Sequence, residues 1–336
     1  MRVVITGGAG FIGSELGKRL VEHGHEVVLL DDMSFGHVDN LLVDGRPFAR
    51  LIVQDIRAGR LEDVLQGADT VFHLAGIAPL AVCQSDPQRC YDVNVSGVAA
   101  VLEASRRAGV GRVIFSSTSA VYERTKSERL RESDAIAPDL VYASSKAAAE
   151  RLCDAFALNC GLDVVIARFF NVYGPHQDIE RASPPFTSYV ARELAHGRAP
   201  RLFNASAARR DYVFSDDLVE ALELMMLAEG TFAADRYNLC SGVGHSVPEL
   251  MDVFAEVSGS AQAPTYESPE RYWDAYPDLF QGGNPLSRAR VAEEVFKHAV
   301  GDPTKTRERF GWAASTSMKD GLRRVWGYAA DRLVGA

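Results

Sequence analysis

The N-terminal stretch Val3–Ser14 constrains this chain more than any other. Val3-Val4-Ile5 is an apolar, β-branched run suited to a short buried strand. Thr6-Gly7-Gly8-Ala9-Gly10-Phe11-Ile12-Gly13-Ser14 follows at once and opens a helix near Phe11. Gly7 permits a tight bend, Gly10 lets backbone N–H groups approach a pyrophosphate, and Gly13 lets the helix pack against the strand. The positive end of the helix dipole then faces the phosphates. An ordinary glycine-rich strand-to-helix loop carries the same local pattern, so a dinucleotide reading needs support further along.

That support begins with Glu26–Leu30, a second apolar strand ending in Asp31-Asp32. A carboxylate about 20 residues beyond such a loop meets the adenosine ribose and accepts from its hydroxyls. It also repels a 2′-phosphate, which favours NAD over NADP; a solvated acidic turn is the alternative. Leu51-Ile52-Val53 makes a third strand, with Asp55 and Ile56 placed as a wall for the adenine. Thr70–Gly76 reads as a fourth strand, and its Leu74 and Ala75 let a cofactor pass the carboxyl end. His73 inside it reads as a satisfied structural histidine. A single helical segment is expected from about Asp86 to Ala108, carrying Asn94, and Val113-Ile114-Phe115 starts a fifth strand. Strands alternating with helices predict an α/β fold, a Rossmann-type doubly wound parallel sheet with ligands at the strands' carboxyl ends.

The fifth strand runs into Ser116-Ser117-Thr118-Ser119-Ala120-Val121-Tyr122. For Ser116, Ser117 and Ser119 the expected role is capping of backbone groups; Thr118 is assigned to substrate. Tyr142 and Lys146 lie four apart on an Ala-rich helix and so share a face. An ammonium near a phenol stabilises the phenolate, making a workable general base.

The chain has 336 residues, ordinary apolar (47%) and charged (24%) fractions, and a net charge of −9 that argues against a nucleic-acid surface. No apolar run has membrane-spanning length and no cleavable signal precedes the first strand, so a cytoplasmic location is expected. Cys83, Cys90, Cys153, Cys160 and Cys240 form no C-x-x-C pair and read as reduced thiols. Cys153 and Cys160, seven apart, are expected to be buried on one helix face. No His/Cys cluster has ligand spacing, and no metal is expected.

These residues together resemble the extended short-chain dehydrogenase/reductases of the nucleotide-sugar epimerase/dehydratase group, to which the UDP-galactose 4-epimerases belong. The match rests on Thr6–Gly13, Asp31, Asp55, Thr118 and the Tyr142/Lys146 pair. It continues through Arg168-Phe169-Phe170-Asn171-Val172-Tyr173-Gly174-Pro175, Arg209–Asp217, Tyr237-Asn238-Leu239 and Gly311-Trp312. The resemblance implies an NAD-binding Rossmann domain over 1–170 and a smaller mixed α/β nucleotide-sugar lobe over 171–336, with segments interleaved. It implies that Tyr142 takes a sugar hydroxyl proton, that Lys146 contacts the nicotinamide ribose and tunes the tyrosine, and that Thr118 holds the reacting oxygen. By the same resemblance Asn171 lies near a diphosphate, Arg210 pairs with phosphate oxygens, and Phe203 lies beside the base. An ion pair of Arg210 with Asp211 or a nearby carboxylate is the alternative. A homodimer through helices near Val93–Ala108 and Ala147–Ala157 is also implied.

Dehydratases and many decarboxylases of this group carry an acid one or two positions after the active-site Ser/Thr. Ser119 and Ala120 stand there. The expected activity is therefore a 4-epimerase acting on a UDP-sugar through a transient 4-keto sugar with retained NAD. A 4-ketoreductase or dehydrogenase is the runner-up, followed by a dehydratase or decarboxylase; a non-catalytic NAD-sensing scaffold is the reading from another class. Three departures stand out. Val121-Tyr122-Glu123 replaces the usual Val-Tyr-Gly, and Cys240 follows Tyr-Asn-Leu where glycine is common. The Arg-x-Gly-Asp segment before Gly311-Trp312 is absent. Arg288, Arg290 and Lys297 are the candidates for its phosphate contact, with a solvated helix face as the alternative. In the smaller lobe the sequence predicts helices at Phe186–His196, Asp217–Ala228 and Val247–Val257, and strands at Arg201–Phe203 and Tyr212–Phe214. Pro264–Ser287 reads as a long irregular excursion.

Overall fold

A computed structural model describes residues 1–283 and 285–334. Its centre is a seven-stranded sheet, parallel throughout. The strands are β1 (Arg2–Thr6), β2 (Glu26–Asp31), β3 (Arg50–Val53), β4 (Thr70–His73), β5 (Arg112–Thr118), β6 (Val164–Phe169) and, much later, Asp235–Leu239. Across the sheet the order is β3-β2-β1-β4-β5-β6 and then Asp235–Leu239. The order reverses between β1 and β4, and a ligand crevice opens at the carboxyl ends there.

Alternation along the strands explains why the sheet is covered on both faces. Val3, Ile5, Val27, Leu29 and Ile114 enter one apolar core; Val4, Val28, Leu30, Val113 and Phe115 enter the other. Helices α1 (Phe11–Glu22), α2 (Gly97–Ala108) and α3 (Val141–Cys160) connect successive strands. A third core forms around Tyr173, Val190, Phe214, Phe254 and Leu322. It lies under a small sheet of β7 (Asn171–Tyr173), β8 (Arg209–Phe214) and Gly244–Ser246. Among the described residues no helix is long and apolar enough to cross a membrane.

Several expectations are corrected. The fourth strand ends at His73: Leu74 N–H makes the last ladder bond, to the Thr6 carbonyl at 3.1 Å, and Ala75 N–H turns to the Thr6 hydroxyl at 3.3 Å. The expected helix over 86–108 is broken into Pro87–Tyr91, a π-helical turn at Asp92–Ser96, and α2; Leu80–Ser85 adds an unexpected helix before it. Asp86 caps the Pro87 helix through the Arg89 N–H at 3.1 Å, which fixes the first break. All five cysteines are free thiols, but only Cys153 of the α3 pair is buried. Cys160 is the last helical residue, beyond the sheet that covers its neighbour. His73 is not fully satisfied: Nδ1 meets the Thr6 hydroxyl at 2.7 Å, while Nε2 has no partner. Burial pushes its pKa down to about 3, so it is neutral. Helices Phe186–Ala195, Ser215–Leu227 and Val247–Ser258 lie where expected to within two residues.

Candidate active site

The glycine loop has the geometry that its spacing implies. Gly7 adopts a left-handed φ of 72°, and a Cβ there would sit 2.7 Å from the Ala75 nitrogen. A Cβ on Gly13 would sit 2.1 Å from the Gly7 carbonyl oxygen, so only glycine lets α1 approach the loop this closely. Gly10 differs: a Cβ there would meet only the Gly7 oxygen, at 3.3 Å, and otherwise project into open space. Gly10 is also the N-cap of α1 and offers no side chain to its first turn. The N–H groups of that turn remain available to an anion.

These residues border a cleft of about 710 Å³. Of the sequence-predicted cofactor residues, Gly7, Gly10, Asp31, Asp32, Asp55, Ile56, Leu74 and Ala75 line it. Phe11, Ile12, Gly13 and Asn94 do not. Phe11, Ile12 and Gly13 form the first turn of α1 behind the loop, and Ile12 packs on the core. Asp31 accepts the Ala9 N–H at 2.9 Å and the Met33 N–H at 2.8 Å, one on each oxygen. Burial nevertheless raises its pKa above the usual carboxylate value. Asp55 is held by Arg57, with contacts down to 2.6 Å. Asn94, in the π-helical turn, uses its amide on Ile77: Oδ1 accepts Ile77 N–H and Nδ2 donates to Ile77 O, both at 2.9 Å. It shapes the cleft wall from behind.

Thr118, Tyr142 and Lys146 converge at the carboxyl end of β5. The Thr118 hydroxyl faces the Tyr142 phenol closely enough to lower its pKa, but burial raises it more, and the phenol titrates above the ordinary range. Lys146 is buried and donates to the Ser116 carbonyl at 2.8 Å, with Nζ 4.9 Å from the Phe115 ring centroid. Burial pushes its pKa down to about 8. The ammonium is thus engaged at the Ser116 carbonyl, near the carboxyl end of a strand inside the sheet. It lies against the first cleft: a Cβ on the lining residue Gly76 would be 3.5 Å from Nζ. The hydroxyl assignments also shift. Thr118 itself accepts the Ala120 N–H at 3.1 Å and caps the following 3-10 turn. Ser116 donates to the His73 carbonyl, whereas Ser117 donates to the buried Glu150 carboxylate at 2.5 Å.

A second cleft, of about 1770 Å³, opens on the smaller lobe. Asn171, Phe203 and Arg210 all line it. Asn171 Nδ2 donates to the Asp211 carbonyl at 2.7 Å. Phe203 meets Tyr272 edge-on at 5.4 Å. Arg210 pairs with Glu294 rather than Asp211, donating to its carbonyl at 2.5 Å and its carboxylate at 3.4 Å. Asp211 is turned away to accept Ser241, Gly242 and Gly301 N–H groups. Of the candidates for a further phosphate contact, Arg288 pairs with Asp274 and stacks on Phe280, and Arg290 pairs with Glu123 and Asp139. Neither lines the cleft. Lys297 is half-buried near Arg210 and Glu294 but also lies outside the lining. Tyr272, in the irregular excursion that the sequence offered as shaping the sugar pocket, does line it, as do Arg181 and His245, which were not singled out from sequence. Arg181 donates to the Ser183 carbonyl at 2.7 Å and makes no ion pair among the described residues.

The sequence pattern of the NAD dependent epimerase/dehydratase family matches residues 3–240. The UDP-glucose 4-epimerase of Mycolicibacterium smegmatis is 31% identical over 97% of both chains. The chain belongs to the NAD-dependent epimerase/dehydratase family. Among solved structures, the UDP-glucose 4-epimerase of Thermotoga maritima with UDP-glucose superposes with a TM-score of 0.86 at 29% identity, covering 99% of this chain and 100% of that one. The UDP-glucose 4-epimerase of Thermus thermophilus in complex with NAD gives 0.81 at 29% identity, covering 98% and 99%.

For a family member whose cofactor is NAD, the first cleft offers a fitting set of groups. The uncapped first turn of α1 suits the pyrophosphate, and Gly10 leaves room for it. Each Asp31 oxygen keeps lone-pair capacity beyond its one backbone N–H, enough for ribose hydroxyls. Beneath the site lies a buried network of which the family pattern marks Arg168 and Tyr122 but not Glu150. Arg168, 2% exposed, grips Glu150 at 2.8 and 2.6 Å and the Tyr122 hydroxyl at 2.7 Å. Glu150 lies one helical turn beyond Lys146 on α3, so this pair locks the helix carrying Tyr142 to β6. Leaving either charge unpaired there would cost about 3–5 kcal/mol.

Proposed function

We propose that this protein is a nucleotide-sugar 4-epimerase acting on a UDP-linked hexose. The carrying observation is that Thr118, Tyr142 and Lys146 gather at the carboxyl end of β5, beside the first cleft at Gly76, with no free acid beside them among the described residues. Ser119 and Ala120 occupy the positions a dehydratase would use, and Glu123, the nearest carboxylate along the chain, is consumed by Arg290 and two backbone N–H groups. Proton removal at one hydroxyl is then the chemistry these side chains can do.

Thr118 orients the sugar 4-hydroxyl toward Tyr142, and Tyr142 takes its proton and later gives it back. With the phenol above its ordinary range, Tyr142 becomes a base only once positive charge faces it. NAD, when bound, would supply a cationic hydride acceptor that can return the hydride to either face of the sugar. Lys146, at about 8, stays mostly protonated at neutral pH, so it adds a cation on the same side. Arg210 and Arg181 hold the diphosphate, Asn171 lies beside it, and Phe203 with Tyr272 flanks the base. Asn94 keeps the Ile77 loop against the cofactor. The sheet portion up to residue 170, rejoined by Asp235–Leu239, serves NAD; the remaining lobe serves the nucleotide sugar. A homodimer through α2 and α3 fits Leu158, which is 84% exposed on α3.

Incubation with UDP-glucose, UDP-GlcNAc, UDP-glucuronate and their 4-epimers tests the reading. Interconversion of at least one pair without added NAD is expected. Recovery of every sugar unchanged, or turnover only with stoichiometric NAD(H), overturns it; the second outcome favours the ketoreductase reading.

A further inference from the structure

Glu123 stands where a glycine would be usual, and a glutamate after a 3-10 turn would ordinarily point to water. Here its side chain is 3% exposed and both oxygens are engaged. Oε2 accepts the Asp139 N–H at 2.6 Å and the Leu140 N–H at 2.8 Å. Oε1 accepts Arg290 Nη2 at 2.5 Å. Leu140 is the N-cap of α3 and gives that helix no side-chain cap. Tyr142 is the second residue of α3, and Thr118 begins the turn that delivers Glu123. One carboxylate thus ties the chain leaving Thr118 to the chain entering Tyr142.

Arg290 completes the tie from a distant part of the sequence. Its Nε donates to the Asp139 carboxylate at 2.8 Å, so the guanidinium spans both residues, and its side chain is 11% exposed. It lies on the helix Arg288–Val295, whose Val291 packs with Leu140, Ala81, Trp273 and Leu279. Four residues on, Glu294 of the same helix holds Arg210 in the second cleft. The helix therefore grips the substrate lobe with one side chain and the entry to α3 with another.

We propose that Glu123 is a positioning residue for Tyr142, and that Arg290 fixes it so that the packing of the C-terminal excursion sets the Thr118–Tyr142 geometry. The inference rests on the reading of Tyr142 as the proton-transfer residue. A pair this buried is not a solvated surface contact. Without Arg290 the carboxylate is left buried and charged, and it must shift toward water or take up a proton. Either outcome loosens Asp139 and Leu140 and moves the phenol. A displacement of about 1 Å in such a group costs up to ~100-fold in rate.

The test compares Arg290→Met, Arg290→Lys and Glu123→Gln with Tyr142→Phe. Each is assayed on the UDP-sugar pair that the intact protein interconverts fastest. Amide exchange at Asp139 and Leu140, thermal midpoint and UDP binding are measured alongside. Arg290→Met is expected to lower kcat about tenfold or more and to speed exchange of the two amides by a similar factor, with KM and UDP affinity within about twofold. Arg290→Lys recovers most of kcat. Glu123→Gln, which keeps an acceptor for the N–H groups, falls between and stands in if Arg290→Met does not fold. Full kcat in Arg290→Met or Glu123→Gln with faster amide exchange overturns the proposal, since the contact is then only structural. So does a loss of kcat matched by an equal loss of UDP affinity. An active Tyr142→Phe overturns the Tyr142 reading itself; an inactive Tyr142→Phe beside a fully active Arg290→Met overturns this inference alone.

Discussion

The two clefts are built from different materials. The first draws its lining from residues 7–93, in chain order, and sets the main chain of a glycine loop beside strand-end side chains such as Asp31 and Asp55. The second gathers residues from Leu80 to Val295 in widely separated pieces, and presents side chains. Backbone geometry leaves little room to adjust, because a Cβ in the wrong place meets main chain. Side-chain geometry adjusts readily, because an arginine can be rebalanced by a new carboxylate. Rigidity thus belongs to the cofactor side and adaptability to the substrate side.

Gly13 is where this contrast is most exposed to refutation. Gly13→Ala puts a carbon 2.1 Å from a backbone oxygen, where no flexible side chain can yield. Overpacking against main chain is expected to cost about 3 kcal/mol or more, lowering Tm by roughly 5–10 °C, and to abolish retained NAD. Gly10→Ala is the control: at 3.3 Å from one oxygen it should fold normally yet lose cofactor. Calorimetric melts and the absorbance of co-purified dinucleotide read both. A Gly13→Ala protein that melts like wild type with NAD bound would show that the first cleft is as forgiving as the second.

Asp211 carries the contrast behind the second cleft, to a buried ionisable group between the lining residues Arg210 and Tyr212. Its carboxylate is fully buried, accepts Ser241, Gly242 and Gly301 N–H groups, and is pushed up to about 6 by burial. Because the folded value exceeds the unfolded one, the folded chain binds the extra proton between roughly pH 4 and 6. The stability this group confers is complete below that window and declines as pH rises through it. Against Asp211→Asn, which cannot titrate, the wild-type advantage should shrink between pH 4 and pH 7, by up to about 3 kcal/mol. Urea melts at the two pH values measure it. An advantage that is constant or grows with pH would remove the proton linkage.

The same contrast explains what could be read in the sequence. The sheet followed from alternation, and the glycine loop from its spacing, because both are local. The break in the helix over 86–108 had a visible signal in Asp86-Pro87, a capping residue before a proline at a helix start. The π-helical turn around Asn94 had none. The four-residue spacing of Tyr142 and Lys146 placed both on one face, but a lysine's reach is longer than a turn, and its ammonium went to Ser116. Glu123 and Arg290 lie 167 residues apart, and nothing local ties them. Arg181 looked like any loop arginine, since its place in the second cleft depends on how 178–189 folds back.

Arg210 gives the smallest effect and the finest discrimination. It lines the second cleft while already bonded to Glu294, so it either serves an anionic ligand or merely bridges to the helix behind it. If it serves the ligand, Arg210→Met removes a charged donor worth about 1.5–3 kcal/mol, a roughly 10- to 100-fold rise in KM. kcat should stay within about threefold, because the proposed proton transfer is at Tyr142 and not at Arg210. Part of that rise would come from Glu294, left facing the ligand without its cation. Arg210→Met combined with Glu294→Gln should therefore regain several-fold in affinity. That compensation is what a side-chain cleft permits and a backbone cleft does not. Calorimetric titration with UDP separates the cases: an unchanged UDP affinity in Arg210→Met would reduce Arg210 to a structural bridge.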